Sequence, residues 1–317
     1  METRARLRRM GFPFLRWAVA LAAAGFFAML VYHPGAMPAW RTAVPSFPAA
    51  ATRIVSLTVA TDEILLALVA PERIAALTHL ADDPEFSNVA VEARAVRGRV
   101  PSGSTEAILA AGPDLVLLAA YVEAARKEIL RAAGVPFIDV RPSGSVAEIK
   151  EYIAAIGRAV GAGARAAEIV RAMDVRLTDV TARIAHSERP RVLYYTGDGV
   201  TAGAGTSIDE IISLGGGENV AAIAGVHGFR KVSRETLVML DPEVILMSGG
   251  RGHEALRQRL LRDAGLSAVG AIRRGRVHAI APRYLSALSH HIVSGVEATA
   301  RILHPDAFGG GERRGRQ

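Results

Sequence analysis

The side chains that could carry out covalent or redox chemistry are few in this sequence. Its 317 residues include no cysteine, which excludes a thiol nucleophile, iron–sulfur clusters, zinc–cysteine sites and a lipid-modified N-terminal cysteine. The nine histidines form no HExxH motif, and no sequence resembles the elbow that presents a nucleophilic serine. We therefore assign no catalytic residue and no metal ligand, and we expect no intrinsic cofactor.

Two further binding classes are not predicted. The glycine-rich motifs Gly203-Ala-Gly205 and Gly215-Gly216-Gly217 do not complete the GxGxxG pattern of a nucleotide-binding turn. Of the net charge of +7, residues 1–16 carry +4 and residues 312–317 carry +2, so the body between them carries +1. Because the charge lies at the two ends, the sequence does not predict a nucleic-acid surface.

The first 51 residues are predicted to be a signal peptide or a membrane anchor, followed by a linker. An arginine-rich start precedes residues 17–32, an apolar run of 16 residues without a charge. A stable transmembrane helix needs about 20 apolar residues, so an anchor would have to extend over residues 12–32. The Pro- and Ala-rich residues 33–51 are typical of a linker. Positive charge before the apolar run predicts export of the remaining chain to the periplasm.

From residue 53 onward, short β-branched runs alternate with helical stretches, which predicts an α/β fold with parallel sheets. The expected fold has two Rossmann-like lobes joined by a single long backbone helix, with a ligand cleft between the lobes. Strands are predicted at residues 53–57, 73–78, 115–119, 136–140, 191–195, 244–248 and 276–280.

The long helix is predicted from an apolar stripe in the Ala-rich middle of the chain. One helical face carries Ile169, Met173, Leu177, Val180 and Ile184. A helix over residues 164–186 would be about 35 Å long. The predicted organisation is an N-terminal lobe at residues 52–143, a connecting region at 144–188, a C-terminal lobe at 189–306 and a disordered tail at 307–317.

An internal repeat relates the two lobes. Residues 104–118 align without a gap to residues 233–247, at an offset of 129. Each copy has a serine at a helix start, a glutamate two positions later (Glu106 or Glu235), a short helix, a Pro-acid turn and a buried strand. Favourable placement against the helix dipole explains each glutamate locally. It does not explain why one occurs in each lobe.

These segments, in this order, resemble a known family. GSTEAIL (103–109) with PDLV (113–116), and VSRETL (232–237) with PEVI (242–245), are similar to motifs of periplasmic substrate-binding proteins of ABC importers for cobalamin, iron–siderophores and haem. The similarity covers residues 52–306 and is most direct to the vitamin B12-binding members. These proteins belong to the class with a helical backbone between two lobes.

The resemblance implies a non-enzymatic function. A monomer would capture an iron complex (siderophore or haem) or cobalamin and deliver it to an inner-membrane permease driven by an ATPase. In the family one surface glutamate per lobe docks onto permease arginines, and the matching residues are Glu106 and Glu235. Helix capping alone is the alternative role for both.

Cargo contacts are expected in the loops after the strands, because open α/β sheets bind ligands at the carboxyl ends of their strands. Aromatic rings suit a flat corrinoid or metal chelate, and arginines suit its carboxylates. The candidate ligand-binding residues are Thr58, His79, Tyr121, Tyr195, Asp198, His227, Phe229, Arg230, Arg283 and Tyr284.

Two other functions stay open on the sequence. In a receptor for a bare metal ion, His79, His227 and His290 would converge in the cleft. A membrane-tethered sensor module would retain residues 1–32. For the first loop, the alternative to ligand contact is that Thr61 or Asp62 caps the following helix.

Overall fold

The computed structural model describes residues 51–101, 104–119, 122, 124–140 and 144–309. They belong to one compact unit, Gly35–Gln317. The predicted signal or anchor and its linker lie almost entirely outside the described residues. Within the described ranges, every helix is too short or too polar to cross a bilayer.

The N-terminal lobe is built on a parallel five-stranded sheet with the order β3-β2-β1-β4-β5. Both faces of a parallel sheet are covered, and the apolar run of β4 fits that position: Leu115, Val116, Leu117 and Leu118 are all fully buried. The strands are β1 (Ile54–Ser56), β2 (Ile74–Thr78), β3 (Arg99–Val100), β4 (Leu115–Ala119) and β5 (Phe137–Val140), and the helices are α1 (Val59–Leu68), α2 (Thr105–Ala110) and α3 (Ala124–Ala132).

Two helices connect the lobes, α4 (Val146–Ala159) and α5 (Gly163–Ile184). The predicted long helix is present as α5, with 22 residues, and its apolar stripe packs into the core. The helices approach closely at Gly157, where a Cβ atom would lie 2.4 Å from the Cβ of Ala166. The connecting region is thus a helix pair, in which α5 is the long member.

The C-terminal lobe has a parallel four-stranded sheet with the order β11-β10-β6-β8 and a separate antiparallel pair, β7 and β9. The strands are β6 (Arg191–Tyr194), β7 (Val200–Ala202), β8 (Glu218–Asn219), β9 (Phe229–Lys231), β10 (Val244–Ser248) and β11 (Val277–Ile280), and the helices are α6 (Ser207–Leu214), α7 (Val220–Ile223), α8 (Arg234–Leu240), α9 (His253–Leu261), α10 (Gly270–Arg273), α11 (Pro282–Leu285) and α12 (Ile292–Leu303).

The last helix, α12, packs against both α5 and α6. Its buried residues Ile292, Val293 and Val296 share one apolar cluster with Ile64 of α1 and Met173 of α5. The predicted α/β fold with two lobes and a long connecting helix is confirmed. A 3-10 turn at Pro305–Phe308 places Phe308 under the guanidinium groups of Arg183 and Arg301, so the fold continues past the predicted boundary at residue 306. The rest of the predicted tail, residues 310–317, lies outside the described residues.

Candidate functional site

The two lobes meet at loops that follow strands of both parallel sheets. The loop after β2 supplies Pro84 and Glu85, and the chain after β11 supplies Arg283. The backbone amide of Arg283 donates to the carbonyl of Glu85 at 3.0 Å, and its Nη1 donates to the carbonyl of Pro84 at 2.9 Å. The carboxyl ends of the two sheets therefore face the same seam, where α/β folds bind ligands.

A cavity of about 440 Å³ opens at this seam. Its walls are Glu85 from the N-terminal lobe and, from the C-terminal lobe, residues 249–255, which form the loop after β10 and the first turn of α9. The Arg251 amide donates to Glu85 Oε1 at 3.3 Å, and Arg251 Nε lies 3.5 Å from Glu85 Oε2. Sequence analysis missed this loop. Its SGGRGH composition, directly after a buried strand, is the signal that could have identified it.

A second contact with the C-terminal lobe lies where the connecting region begins. The amide of Val146 donates to Glu210 Oε1 at 3.0 Å. The backbones of Gly144 and Gly205 approach so closely that a Cβ on Gly144 would lie 2.7 Å from the carbonyl oxygen of Gly205. The C-terminal lobe is therefore contacted by the start of the connecting region as well as by the loop that carries Pro84 and Glu85.

Thr58 is the N-cap of α1. Its hydroxyl accepts a hydrogen bond from the Thr61 amide at 3.1 Å, and the Thr61 hydroxyl accepts one from the Thr58 amide at 3.2 Å. This reciprocal box satisfies two amides at the helix start. The capping residue expected at Thr61 or Asp62 is Thr58 itself, so its predicted contact with a ligand competes with a structural role.

On the N-terminal lobe, His79 begins a 3-10 turn after β2 and is exposed. The turn is fixed by Asp82, whose carboxylate receives two hydrogen bonds from Arg99, at 2.6 and 2.7 Å. Tyr121, the other aromatic candidate on this lobe, lies outside the described residues.

On the C-terminal lobe, the candidates divide between core and surface. Tyr195 is only 7% exposed and packs in the apolar core, where burial raises the pKa of its phenol, so the expected cleft-facing ring is a core side chain. Asp198 is exposed and accepts a hydrogen bond from the Thr196 hydroxyl at 2.5 Å. His227 and Arg230 are exposed, and the half-buried Phe229 between them packs against the core.

Arg283 and Tyr284 lie beside the contact between the lobes. The Arg283 guanidinium stands 4.9 Å above the ring centroid of Tyr284, a cation–π arrangement. The same guanidinium donates to Pro84 of the opposite lobe. These two residues combine a charge with a flat aromatic face beside the contact between the lobes.

Sequence analysis also missed two buried acids in α1. Asp62 and Glu63 are 0% and 1% exposed. Burial raises the pKa of Asp62 to about 7 and raises the pKa of Glu63 as well. The signal was available, because these two acids interrupt an otherwise apolar helix.

The repeated glutamates occupy equivalent places in the two lobes. Ser104 caps α2 through the Ala107 amide at 3.1 Å, and Ser233 caps α8 through the Thr236 amide at 3.2 Å. Glu106 and Glu235 follow in the first turns, and both are exposed. A hydrogen bond from Ser233 lowers the pKa of Glu235. Because serine supplies the cap in both lobes, the glutamates remain available for another partner.

The repeat extends to the acids that anchor these helices. Asp114 accepts the amides of Thr52 and Arg53 at 2.7 and 2.9 Å, where β1 begins. Glu243 accepts the Arg191 amide at 3.0 Å, where β6 begins. Each Pro-acid turn therefore ties the end of a glutamate-bearing helix to the first strand of its lobe.

Comparison with known proteins agrees with this architecture. The sequence model of the periplasmic binding protein family matches residues 54–284. The chain belongs to this family.

A cobalamin-binding protein of Halobacterium salinarum is 36% identical over 155 residues, which are 48% of this chain and 42% of that protein. The chain thus spans less than half the length of that curated relative. A vitamin B12-binding protein of Yersinia pestis is 29% identical over 203 residues, covering 63% of this chain and 70% of the relative.

Solved structures share the fold of this family member. The haem-binding protein RhuT of Roseiflexus, in its apo form, has a TM-score of 0.69 at 24% identity and covers 81% of this chain and 99% of its own. The vitamin B12-binding protein BtuF of Vibrio cholerae has a TM-score of 0.67 at 24% identity, with coverages of 82% and 99%. At this identity the likeness establishes the two-lobed fold alone.

Proposed function

We propose that this protein is the exported solute-binding component of an ABC importer and that it carries a metal-chelate nutrient in the seam between its lobes. The cavity between the Pro84–Glu85 loop and residues 249–255 carries this proposal. It lies at the carboxyl ends of strands from both sheets, in a chain of the periplasmic binding protein family.

Cobalamin is the first candidate cargo, and haem or a ferric siderophore is the second. The sequence relatives named for cobalamin and vitamin B12 support the first choice. Tyr284 offers an aromatic face, and Arg251 and Arg283 offer donors for carboxylate or phosphate oxygens. A corrin with its nucleotide arm is larger than this cavity of about 440 Å³, which is open to solvent, so we expect loading to open the Glu85–Arg251 contact.

Delivery to an inner-membrane permease is assigned to Glu106 and Glu235. Both are exposed in the first turn of a short helix, one in each lobe, and neither is the capping residue of its helix. A matched acid on each lobe is suited to bind the two halves of a permease. The family and the arginine-rich start of the sequence support a periplasmic location.

The full chain, purified without denaturation from periplasmic and membrane fractions, tests this function. Visible spectroscopy and mass spectrometry would identify what co-purifies, and titration with cyanocobalamin, haemin and a ferric siderophore would rank the affinities. A corrin spectrum, a Soret band or a charge-transfer band would each identify one cargo. A chain that binds none of the three at micromolar concentration would overturn the proposal.

A receptor for a bare metal ion is the alternative function, and titration with free Zn²⁺ and Mn²⁺ tests it. In the described part of the chain, no three His, Cys, Asp or Glu side chains are grouped closely enough to hold an ion. Binding of free Zn²⁺ or Mn²⁺ in place of the chelates would nevertheless establish that function.

A further inference from the structure

The cavity at the seam contains a charged group that the sequence did not point to. Arg251 projects from the loop after β10, and its side chain is 92% exposed. Its ionic partner is Glu85 of the other lobe, whose side chain is only 25% exposed. The cation is therefore presented to solvent at the cavity, while the acid that faces it is held in the wall.

This ion pair is long. Arg251 Nε lies 3.5 Å from Glu85 Oε2, whereas a charge-assisted N–H to carboxylate hydrogen bond is about 2.7–2.9 Å. Exposed pairs of this kind contribute little, because water screens them and a long side chain must be held in place. An oxyanion that binds the Arg251 guanidinium at a shorter distance can therefore displace the Glu85 carboxylate.

The second acid beside the cavity is already engaged. Glu254 accepts hydrogen bonds from Gln258 at 2.8 Å and from Arg257 at 3.3 Å, both on its own helix. Glu85, in contrast, is held by its backbone: its amide donates to Asp83 at 2.9 Å, and its carbonyl accepts from Arg283. Moving the carboxylate away from Arg251 therefore breaks no hydrogen bond that holds the Glu85 loop.

Gly250 shows how closely this carboxylate fits the opposite loop. A Cβ atom added to Gly250 would lie 2.4 Å from Glu85 Oε1. The loop can receive the carboxylate only because this position lacks a side chain. An alanine here would displace the carboxylate without changing any charge.

We propose that Arg251 is a cargo-binding residue that takes an oxyanion of the cargo, and that Glu85 occupies the oxyanion position when the cleft is empty. This inference rests on the proposed function and extends it to a class of cargo. A phosphate or a carboxylate on the chelate replaces Glu85 as the lobes separate. The Glu85 carboxylate then competes with the cargo oxyanion for Arg251. This competition determines how strongly the protein prefers cargo with an oxyanion over cargo without one.

Two matched ligand pairs test this with the full chain. Cyanocobalamin carries a phosphodiester that dicyanocobinamide lacks, and haemin carries two carboxylates that its dimethyl ester lacks. For the pair that the wild type binds, we expect Arg251→Gln to weaken the oxyanion-bearing member about tenfold and the other member by less than about twofold. Arg251→Lys should retain part of the preference, because it keeps the charge.

Two variants test whether the Glu85 carboxylate competes with the cargo for Arg251. Glu85→Gln and Gly250→Ala should both tighten binding of the oxyanion-bearing member, by about threefold or more, since both remove the carboxylate from Arg251. Arg273→Gln is the matched control. Arg273 is exposed, donates to the Ala268 carbonyl, and lies before β11, at the end of the sheet away from the seam.

The outcomes distinguish the role of Arg251 from the transport function. Equal losses on both members of a pair in Arg251→Gln, or unchanged affinity in both competitor variants, would overturn the role of Arg251 and leave the transport function standing. A wild-type chain that binds neither the four probes nor a ferric siderophore would overturn both.

Discussion

The carboxylate of Glu63 accepts a hydrogen bond from the hydroxyl of Ser289, a residue 226 positions further along the chain. Its other oxygen accepts the backbone amide of Asn88 at 2.9 Å and the Asn88 side-chain amide at 2.8 Å. The same side-chain amide also donates to the Arg283 carbonyl at 2.9 Å. One buried carboxylate thus ties the chain that follows the last strand of the C-terminal lobe to the N-terminal lobe. This tie limits how the lobes can move beside the cavity.

Removing this acceptor should destabilise the protein. Glu63→Ala leaves the Asn88 backbone amide and the buried Ser289 hydroxyl without this acceptor, whereas the Asn88 side-chain amide keeps the Arg283 carbonyl. A buried polar group without a partner costs about 1–3 kcal/mol. We expect a loss of about 3 kcal/mol in the free energy of unfolding. Urea unfolding followed by far-UV circular dichroism would measure it, since Trp17 and Trp40, the only tryptophans, lie outside the described residues.

Two further variants show whether the loss of stability is specific to the buried carboxylate of Glu63. Glu72→Ala, at an exposed position, should change stability by less than about 0.5 kcal/mol. Glu63→Gln should fall between the two, because its amide keeps one acceptor and can donate to Ser289. Equal stability of the Glu63 and Glu72 alanine variants would contradict the assigned role.

Asp62 should make stability fall as pH rises. Its carboxyl is buried, accepts a hydrogen bond from the Thr78 hydroxyl at 2.6 Å and has a pKa raised by burial from 3.8 to about 7. In that window the folded chain holds a proton that the unfolded chain has released. The stabilisation is therefore complete below pH 3.8 and is lost as pH rises towards 7.

The variant Asp62→Asn removes this titration. Relative to wild type, its free energy of unfolding should rise by about 1.4 kcal/mol per pH unit between the two pKa values and level off above the higher one. Urea titrations of both proteins across that range measure the difference. A difference independent of pH would show that Asp62 is ionised in the folded protein.

The adjacent histidines before α12 should have the opposite effect. His290 and His291 have ring centroids 4.1 Å apart, and burial lowers their pKa values from 6.5 to about 3 and about 4. For His290 the neighbouring His291 and Arg176 contribute as well, and for His291 Arg176 does. Below pH 6.5 the unfolded chain takes up protons that the folded chain excludes, so stability is lost as pH falls towards 4.

Substitution of both histidines by glutamine should remove this loss of stability at acidic pH. The wild type should lose about 1.4 kcal/mol per pH unit for each histidine relative to the double variant. NMR titration of the imidazole resonances gives a direct check on the folded protein. Resonances of these two rings that titrate near pH 6.5 would contradict their desolvation.

How much the sequence could predict depends on the length of each element. The seven predicted strands are all present, with ends shifted by no more than one residue, because each contains apolar side chains that the core buries. The strands that were missed, β3, β7, β8 and β9, have two or three residues, too few to show a period. They form because neighbouring strands offer them partners.

The residues of the candidate site were harder to predict, because their contacts join distant parts of the chain. Arg283 and Tyr284 were identifiable from their place after a strand, and they lie at the seam. Tyr195 also follows a strand, yet its ring turns into the core. The Glu85–Arg251 contact joins residues 166 positions apart and depends on how the lobes close, which no local pattern encodes.

Charge reversal at the repeated glutamates should separate cargo capture from delivery. The double variant Glu106→Lys, Glu235→Lys changes two exposed side chains on separate helices, one in each lobe. Like charges opposite permease arginines would repel, so we expect uptake in cells to fall by about tenfold or more. Affinity for the cargo should change by less than about twofold, because a charge far from the ligand is screened.

A second double variant controls for net charge. Glu128→Lys, Glu188→Lys also reverses two exposed acids, one on α3 and one just before β6, and should transport cargo like wild type. Uptake has to be compared at equal periplasmic amounts of each variant, measured by immunoblot, because a destabilised protein would be degraded. If the Glu106, Glu235 variant transports as well as this control, these glutamates contribute only to the dipoles of their helices. Loss of uptake with cargo affinity retained would place the permease contact on α2 and α8, the helices that Asp114 and Glu243 tie to the first strand of each lobe.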